Sequence, residues 1–208
     1  MDFYDVINSR RTIRDFADRP IDSNVIKRVI SAGMKAPSND HMRDWEFIVA
    51  TEKTVIASII QRIPEKMQAD YVESIIQSWE LLDECQRTAY RNAIPRQYEM
   101  LYTAGCLILP LFKQHGDLLR PQSLSSLNSF ASIWCCIENI WLAATAEGLS
   151  VTIRIPLDDE PEHIAKILNY PKEYVMPCYL ALGHPAPEAT GNKQIEHKIE
   201  DKIHINGW

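Results

Sequence analysis

Three guanidinium groups and a hydroxyl stand within five positions at Arg10-Arg11-Thr12-Ile13-Arg14, just past a short helical pattern. Guanidinium forks match phosphate and other delocalised anions, so this run has the chemistry to hold one. Taken alone, it reads equally well as a solvated basic face. A second cluster, Ala36-Pro37-Ser38-Asn39-Asp40-His41-Met42-Arg43-Asp44-Trp45, packs hydrogen-bonding side chains densely ahead of a β pattern. Ser38, Asn39 and His41 suit sugar-like hydroxyls or the edge of a heterocycle, with an Asx-capped turn as the plain alternative. Lys193, in Gly191-Asn192-Lys193-Gln194, is a lone cation near the C-terminus.

The usual self-sufficient catalytic signatures are missing. The seven glycines, at 33, 105, 116, 148, 183, 191 and 207, spell neither a GxGxxG fingerprint nor a GxxxxGK loop. The six histidines have no metal-ligand spacing, and no GxSxG elbow occurs. A hydrolase, a zinc enzyme or a nucleotide kinase would each need one of these.

The elements that must position the two clusters follow from the apolar pattern. Between Phe130 and Ala146 apolar residues fall on almost every face, which predicts a central, buried helix. Ser or Asn near 125–129 starts it and Gly148 ends it as the C′ residue. A chain of 208 residues rarely encloses a helix on all sides, so a second copy of the chain is expected to cover part of it. Glu138 and Asn139 interrupt the run and argue against a membrane span. The spacing predicts helices over residues 2–9 (Phe3, Val6 and Ile7 inward), 22–33, 52–61 and 158–168, and strands at 46–50, 106–112, 151–153 and 174–183. Pro177 predicts an irregular start to the last strand. Residues 64–102, rich in Glu, Gln, Arg and Met, read as one or two partly exposed helices, a lid over something. In the tail, Ile195, Ile199 and Ile203 stand four apart among charges, followed by Ile205 and Trp208. This arm either packs on its own domain or wraps a partner subunit.

With 46% hydrophobic and 24% charged residues, the chain reads as an ordinary folded protein, long enough for one sizeable domain or two small ones. A net charge of −6 argues against non-specific nucleic-acid binding. The first residues lack an apolar leader, and the five cysteines form no CxxC pair, so reduced, buried thiols and a cytoplasmic location are expected.

In order along the chain, these pieces resemble the nitroreductase family of FMN-dependent oxidoreductases. That family opens with a helix ending in an S-R-R-S-x-R-x-F-like segment and a Pro-Ile turn, matched by Ser9-Arg10-Arg11-Thr12-Ile13-Arg14-Asp15-Phe16 and Pro20-Ile21. Its A-P-S…W-x-F segment is matched by Ala36-Pro37-Ser38 and Trp45-Glu46-Phe47. Late in the chain its long apolar helix, strand and G-Y-P-A segment are matched by Gly148-Leu149-Ser150, Ile153 to Pro156, and Gly183-His184-Pro185-Ala186. His41 and Arg43-Asp44 replace the family's usual Asn and Gln-Pro. The match is weakest over 60–125.

The resemblance implies an α+β fold with a mainly antiparallel central sheet flanked by helices and a buried central helix, in an intertwined homodimer with two FMN sites. Residues 1–208 would form a single domain, with an arm from about 190 to 208 reaching the partner subunit. Arg10, Arg11, Thr12 and Arg14 would face the phosphate, ribityl chain and pyrimidine edge. Pro37, Ser38, Asn39 and His41 would come from the other subunit. The segment Ile153-Arg154-Ile155-Pro156 would lie against the ring. Pro156 has no N–H, so Arg154 or Ile155 would offer the backbone donor to flavin N5. Lys193 would help bind the phosphate. NADH or NADPH would serve as transient reductant, and a nitroaromatic, quinone or similar small molecule as acceptor. A flavin store or sensor, or an enzyme that uses reduced FMN for dehalogenation or flavin breakdown, are the other readings.

Overall fold

The structure, a computed structural model, describes residues 1–81, 83–191 and 196–208. Its centre is β2 (Cys106–Lys113), whose side chains alternate between two apolar layers. Cys106, Ile108 and Phe112 enter one core, while Leu107, Leu109 and Leu111 enter the other. That is the period-two geometry of a strand covered on both faces. β1 (Trp45–Ala50), β3 (Ser150–Arg154), β4 (Tyr174–Val175) and β5 (Tyr179–Gly183) complete an antiparallel sheet in the order β1-β2-β5-β3, with β4 also on β2. Pro110, which has no N–H, falls where β2 faces the break between β4 and β5, so the ladder loses nothing there.

One face of the sheet carries α2 (Ser23–Gly33) and α7 (Asn128–Ala146). A Cβ on Gly33 would stand 2.6 Å from Ile140, so only glycine lets these helices cross so closely. α7 ends as its sequence predicts: Gly148 takes φ +74°, and Leu149 N–H donates to the Ala144 carbonyl at 2.8 Å. The other face carries α3 (Lys53–Ile59), α6 (Gln97–Tyr102) and α8 (Glu160–Leu168).

The described residues of 64–102 form three α-helices rather than one or two. α4 (Ala69–Ser78) and α5 (Glu84–Ala93) precede α6, and together they keep a small core of their own around Val72, Ile76 and Ile94. The reversal after α4 turns on Glu80, which adopts φ +50°. Pro177 does split the predicted 174–183 strand, leaving β4 and β5.

Two expectations are corrected. In α1 (Phe3–Ser9) only Val6 is buried, while Phe3 and Ile7 are exposed. On α7 only the face bearing Ile133, Cys136, Ile137, Ile140 and Ala144 is enclosed, so Cys135 lies open and not buried beside its neighbour. Of the two readings of the tail, the described residues show no packing at home: Ile199, Ile203, Ile205 and Trp208 are all exposed, and Trp208 stacks on His204 with centroids 4.2 Å apart. Ile195 lies outside the described residues.

Candidate functional site

The basic run is held as an extra, irregular strand beside β3. Thr12 bridges Val151 in parallel, and Ile13 N–H reaches the Val151 carbonyl at 3.4 Å. Further on, Ala17 N–H donates to the His184 carbonyl at 2.9 Å and Ala186 N–H to the Asp15 carbonyl at 3.0 Å. Between these ties Phe16 lies flat on the sheet end, because Gly183 has no Cβ to meet its ring at 2.5 Å. Sequence-distant segments thus clamp residues 10–16 in one register.

Each arginine then has a different fate. The Arg10 guanidinium stacks over Trp141 of α7, 4.8 Å from the ring centroid. Arg11 folds back, its Nη1 donating to the carbonyls of Asn8 (2.7 Å) and Arg10 (2.8 Å), with its stem against Gly191. Arg14 is half-buried and has no ion pair or hydrogen bond among the described residues. Burial first, and then the neighbouring Arg96 charge, lowers its pKa. Arg96 itself is paired with Asp15.

Arg14 faces a cavity of about 410 Å³ lined also by Trp79, Tyr90, Gln97, Ile153 and Ile155. Trp79 and Tyr90 meet edge to face, centroids 4.9 Å apart, and form its aromatic roof. Its floor is the β3 end that the sequence singled out. There the Arg154 side chain is committed elsewhere: its guanidinium forms a buried, two-pronged pair with Glu160, one arm at 2.6 Å, and Nε donates to Gln97 Oε1 at 2.8 Å. Tyr179 donates its hydroxyl to the same carboxylate at 2.7 Å. Arg154 can therefore serve a ligand only through its backbone, whereas Ile155 is half-exposed in the cavity wall. Pro156 adjoins it in the chain and is partly buried.

The second cluster sits elsewhere on α7. Pro37, Ser38 and Asn39 line a shallow hollow of about 270 Å³ with Asn128, Ser132 and Cys135. Asn39 N–H donates to Ser132 Oγ at 2.9 Å, and Asn128 Nδ2 to Asn39 Oδ1 at 3.3 Å. Asp40, His41 and Arg43 all hold positive φ, between 47° and 55°. His41 is exposed, and its N–H donates to the Ser38 carbonyl at 3.3 Å. Ser132 and Trp141 are nine residues apart on one helix, about 13 Å along its axis. Within one chain, then, the two clusters line different cavities. Lys193 lies outside the described residues.

Two buried donors lack partners among the described residues: Ser38 Oγ in the second cluster and Trp141 Nε1 beside Arg10. Buried polar atoms are nearly always satisfied, so each marks a place where an acceptor belongs. Neither donor lines the Arg14 cavity, where Arg14 faces mostly apolar and aromatic walls and suits the anionic edge of a flat ring. Sequence reasoning missed Trp141, Trp79, Tyr90, Gln97 and Glu160. Trp141 was legible only as core, and nothing in the sequence pairs Trp79 with Tyr90 before the Glu80 reversal is known.

Fold and donors define an α+β protein with an arginine-rich segment laid along its sheet edge. The chain belongs to the nitroreductase family, whose model matches residues 7–184. Among curated relatives, iodotyrosine deiodinase 1 of Rattus norvegicus is 27% identical over 205 residues, which is 98% of this chain and 69% of that protein. Across the deiodinases matched, this chain spans from 61% to 69% of their length. Among solved structures, oxidized iodotyrosine deiodinase bound to FMN and 3-iodo-L-tyrosine has a TM-score of 0.75 at 18% identity, covering 99% of both chains. An FMN-dependent nitroreductase from Clostridium difficile R20291 has a TM-score of 0.66 at 18% identity, covering 98% of both. At such identities these structures carry the fold.

Proposed function

We propose that this chain is an FMN-dependent oxidoreductase that moves hydride from NADH or NADPH to a nitroaromatic, quinone or similar small acceptor in a ping-pong cycle. The observation that carries this reading is the half-buried Arg14 guanidinium, unpaired among the described residues, facing a slot floored by Ile153 and Ile155 and roofed by Trp79 and Tyr90. FMN, when bound, supplies the hydride chemistry. Arg14 favours negative charge at the ring edge it faces, which eases uptake of a hydride there. Arg10, Arg11 and Thr12 hold the phosphate side, Lys193 joins them, and the backbone at Arg154 or Ile155 donates to the ring. No side-chain acid or nucleophile is needed.

The reading includes a homodimer. Pro37, Ser38, Asn39 and His41 reach the partner's site, the open face of α7 meets its counterpart, and the 190–208 arm lies over the partner. These placements explain why the two clusters line separate cavities in one chain and why the arm's apolar side chains stand exposed. A second reading, reductive dehalogenation with reduced FMN, is favoured by the deiodinase relatives at 25–29% identity. Storage or sensing of FMN is the third.

The test is spectroscopic. FMN-loaded protein is mixed with NADH or NADPH without oxygen, and flavin absorbance should bleach within seconds and return on adding a nitroaromatic or quinone. Protein that binds FMN but never bleaches is a store or sensor. Halide release from a halogenated phenol, with no turnover of nitro or quinone compounds, would replace this reading with the second.

A further inference from the structure

Beside the Arg14 cavity lies a second chamber of about 310 Å³. Met67, Tyr71, Ile75 and Ile94 give it an apolar wall; its charged lining is Arg154 bound to Glu160, Arg62 paired to Asp159 at 3.3 Å, and Asp158. The two chambers share Trp79, Gln97, Arg154 and Leu157. Two of these are fixed, because Gln97 is bonded to Arg154, which Glu160 locks in place. The other two, Trp79 and Leu157, are nearly half exposed, and neither side chain makes a hydrogen bond among the described residues, although Trp79 leans edge to face on Tyr90. The partition is therefore a hydrogen-bonded sill with two half-exposed apolar side chains beside it. The helices behind it keep their own small core around Val72, Ile76 and Ile94, so the sheet does not fix the chamber's width.

Nothing in the redox reading uses this chamber. We propose that it is an acceptor-tail subsite: the site takes an aromatic acceptor whose flat head lies in the Arg14 cavity and whose apolar side chain passes Trp79 into the second chamber. An alkyl- or prenyl-substituted quinone has that chemistry. Its two-electron reduction takes one hydride from the bound cofactor and one proton from water, giving the quinol. The proposal rests on the redox reading for what happens to the head, but binding of the tail depends only on the chamber.

The experiment compares 2-methyl-1,4-naphthoquinone with the same quinone bearing a linear pentyl chain at C3. Binding to oxidised, FMN-loaded protein is measured by calorimetry with no reductant present, so that no turnover is involved. The pentyl compound should bind at least about fivefold tighter, since each buried methylene adds affinity. Ser78→Trp, which fills the second chamber from an exposed position, should abolish that preference and leave the unsubstituted quinone's affinity unchanged. Ile75→Phe is the second filling variant should the first fold poorly, and Ser78→Ala should keep the preference. Equal affinities in the unaltered protein, or a preference that survives both filling variants, would overturn the proposal. If the reductant bleaches the flavin and the unsubstituted quinone restores it while no tail preference exists, the tail subsite fails and the redox reading stands. A tail preference in protein that no nicotinamide reduces leaves the subsite standing and removes the redox reading.

Discussion

The guanidinium of Arg10 lies over the indole of Trp141, and that indole's N–H is buried without an acceptor among the described residues. The ring fixes the cation's plane, and the open N–H adds a donor on the same spot. Arg10→Ala should weaken FMN retention by about 1.5–3 kcal/mol, the usual worth of a charge-assisted contact. Trp141→Phe keeps the stacking face and removes the N–H, so its loss should be smaller than that of Trp141→Leu. Fluorescence titration of apoprotein with FMN measures all three, and identical dissociation constants would remove this pair from the site.

The Arg154–Glu160 pair is a structural keystone beneath the cavity. Both side chains are almost fully buried, and burial together with the hydrogen bond to Glu160 pushes the Tyr179 phenol pKa up. Glu160→Ala strands a buried cation and should cost about 3–5 kcal/mol. The double change Arg154→Met with Glu160→Leu should cost clearly less, because it removes both charges. Urea unfolding of the two variants decides it: a double change as costly as the single one would mean the pair itself, and not the stranded charge, carries the stability.

The thiols should divide sharply. Burial pushes Cys106 and Cys136 up to about 12, and Cys178 higher still, so none of the three forms appreciable thiolate at neutral pH. Cys85 and Cys135 are exposed. In native protein Cys85 should react quickly with a thiol reagent, while Cys135, on the α7 face assigned to the partner, should react only as the dimer dissociates on dilution. A fast, concentration-independent rate for Cys135, read in a Cys85→Ser background, would show that face to be open.

Removing residues 195–208 should lower the dimerisation constant, since Ile199, Ile203, Ile205 and Trp208 have no cover in the single chain. Sedimentation velocity over a dilution series reports the change. A truncated chain with an unaltered profile would mean that the arm plays no part in pairing.

The fold was largely readable because its strongest signals are local. The all-round apolar run of α7, the glycine that ends it and the short continuous apolar run of β2 each declare themselves within one segment. What stayed hidden depends on contacts between distant segments. That α1 buries only Val6, and that Cys135 faces outward, follow from what packs across each helix and not from residue type. The candidate site shows the same division. Arg14 and Ile155 were placed by a family-like motif and do share a wall, but Arg154 reads as cationic in sequence and proves neutralised by Glu160, six positions on, inside a buried network. The roof of Trp79 and Tyr90 required the left-handed reversal at Glu80, which no propensity for glutamate would suggest.

Asp40, His41 and Arg43 hold their backbones in a region that residues with side chains avoid, at a cost of about 1–2 kcal/mol apiece. A segment so constrained behaves as a die and not as a glove. Whatever it presses against meets a contour already cut, and little ordering remains to be done when the two surfaces close. The same stiffness narrows what evolution can write there: a β-branched residue at any of those three places would spoil the mould before it touched a ligand.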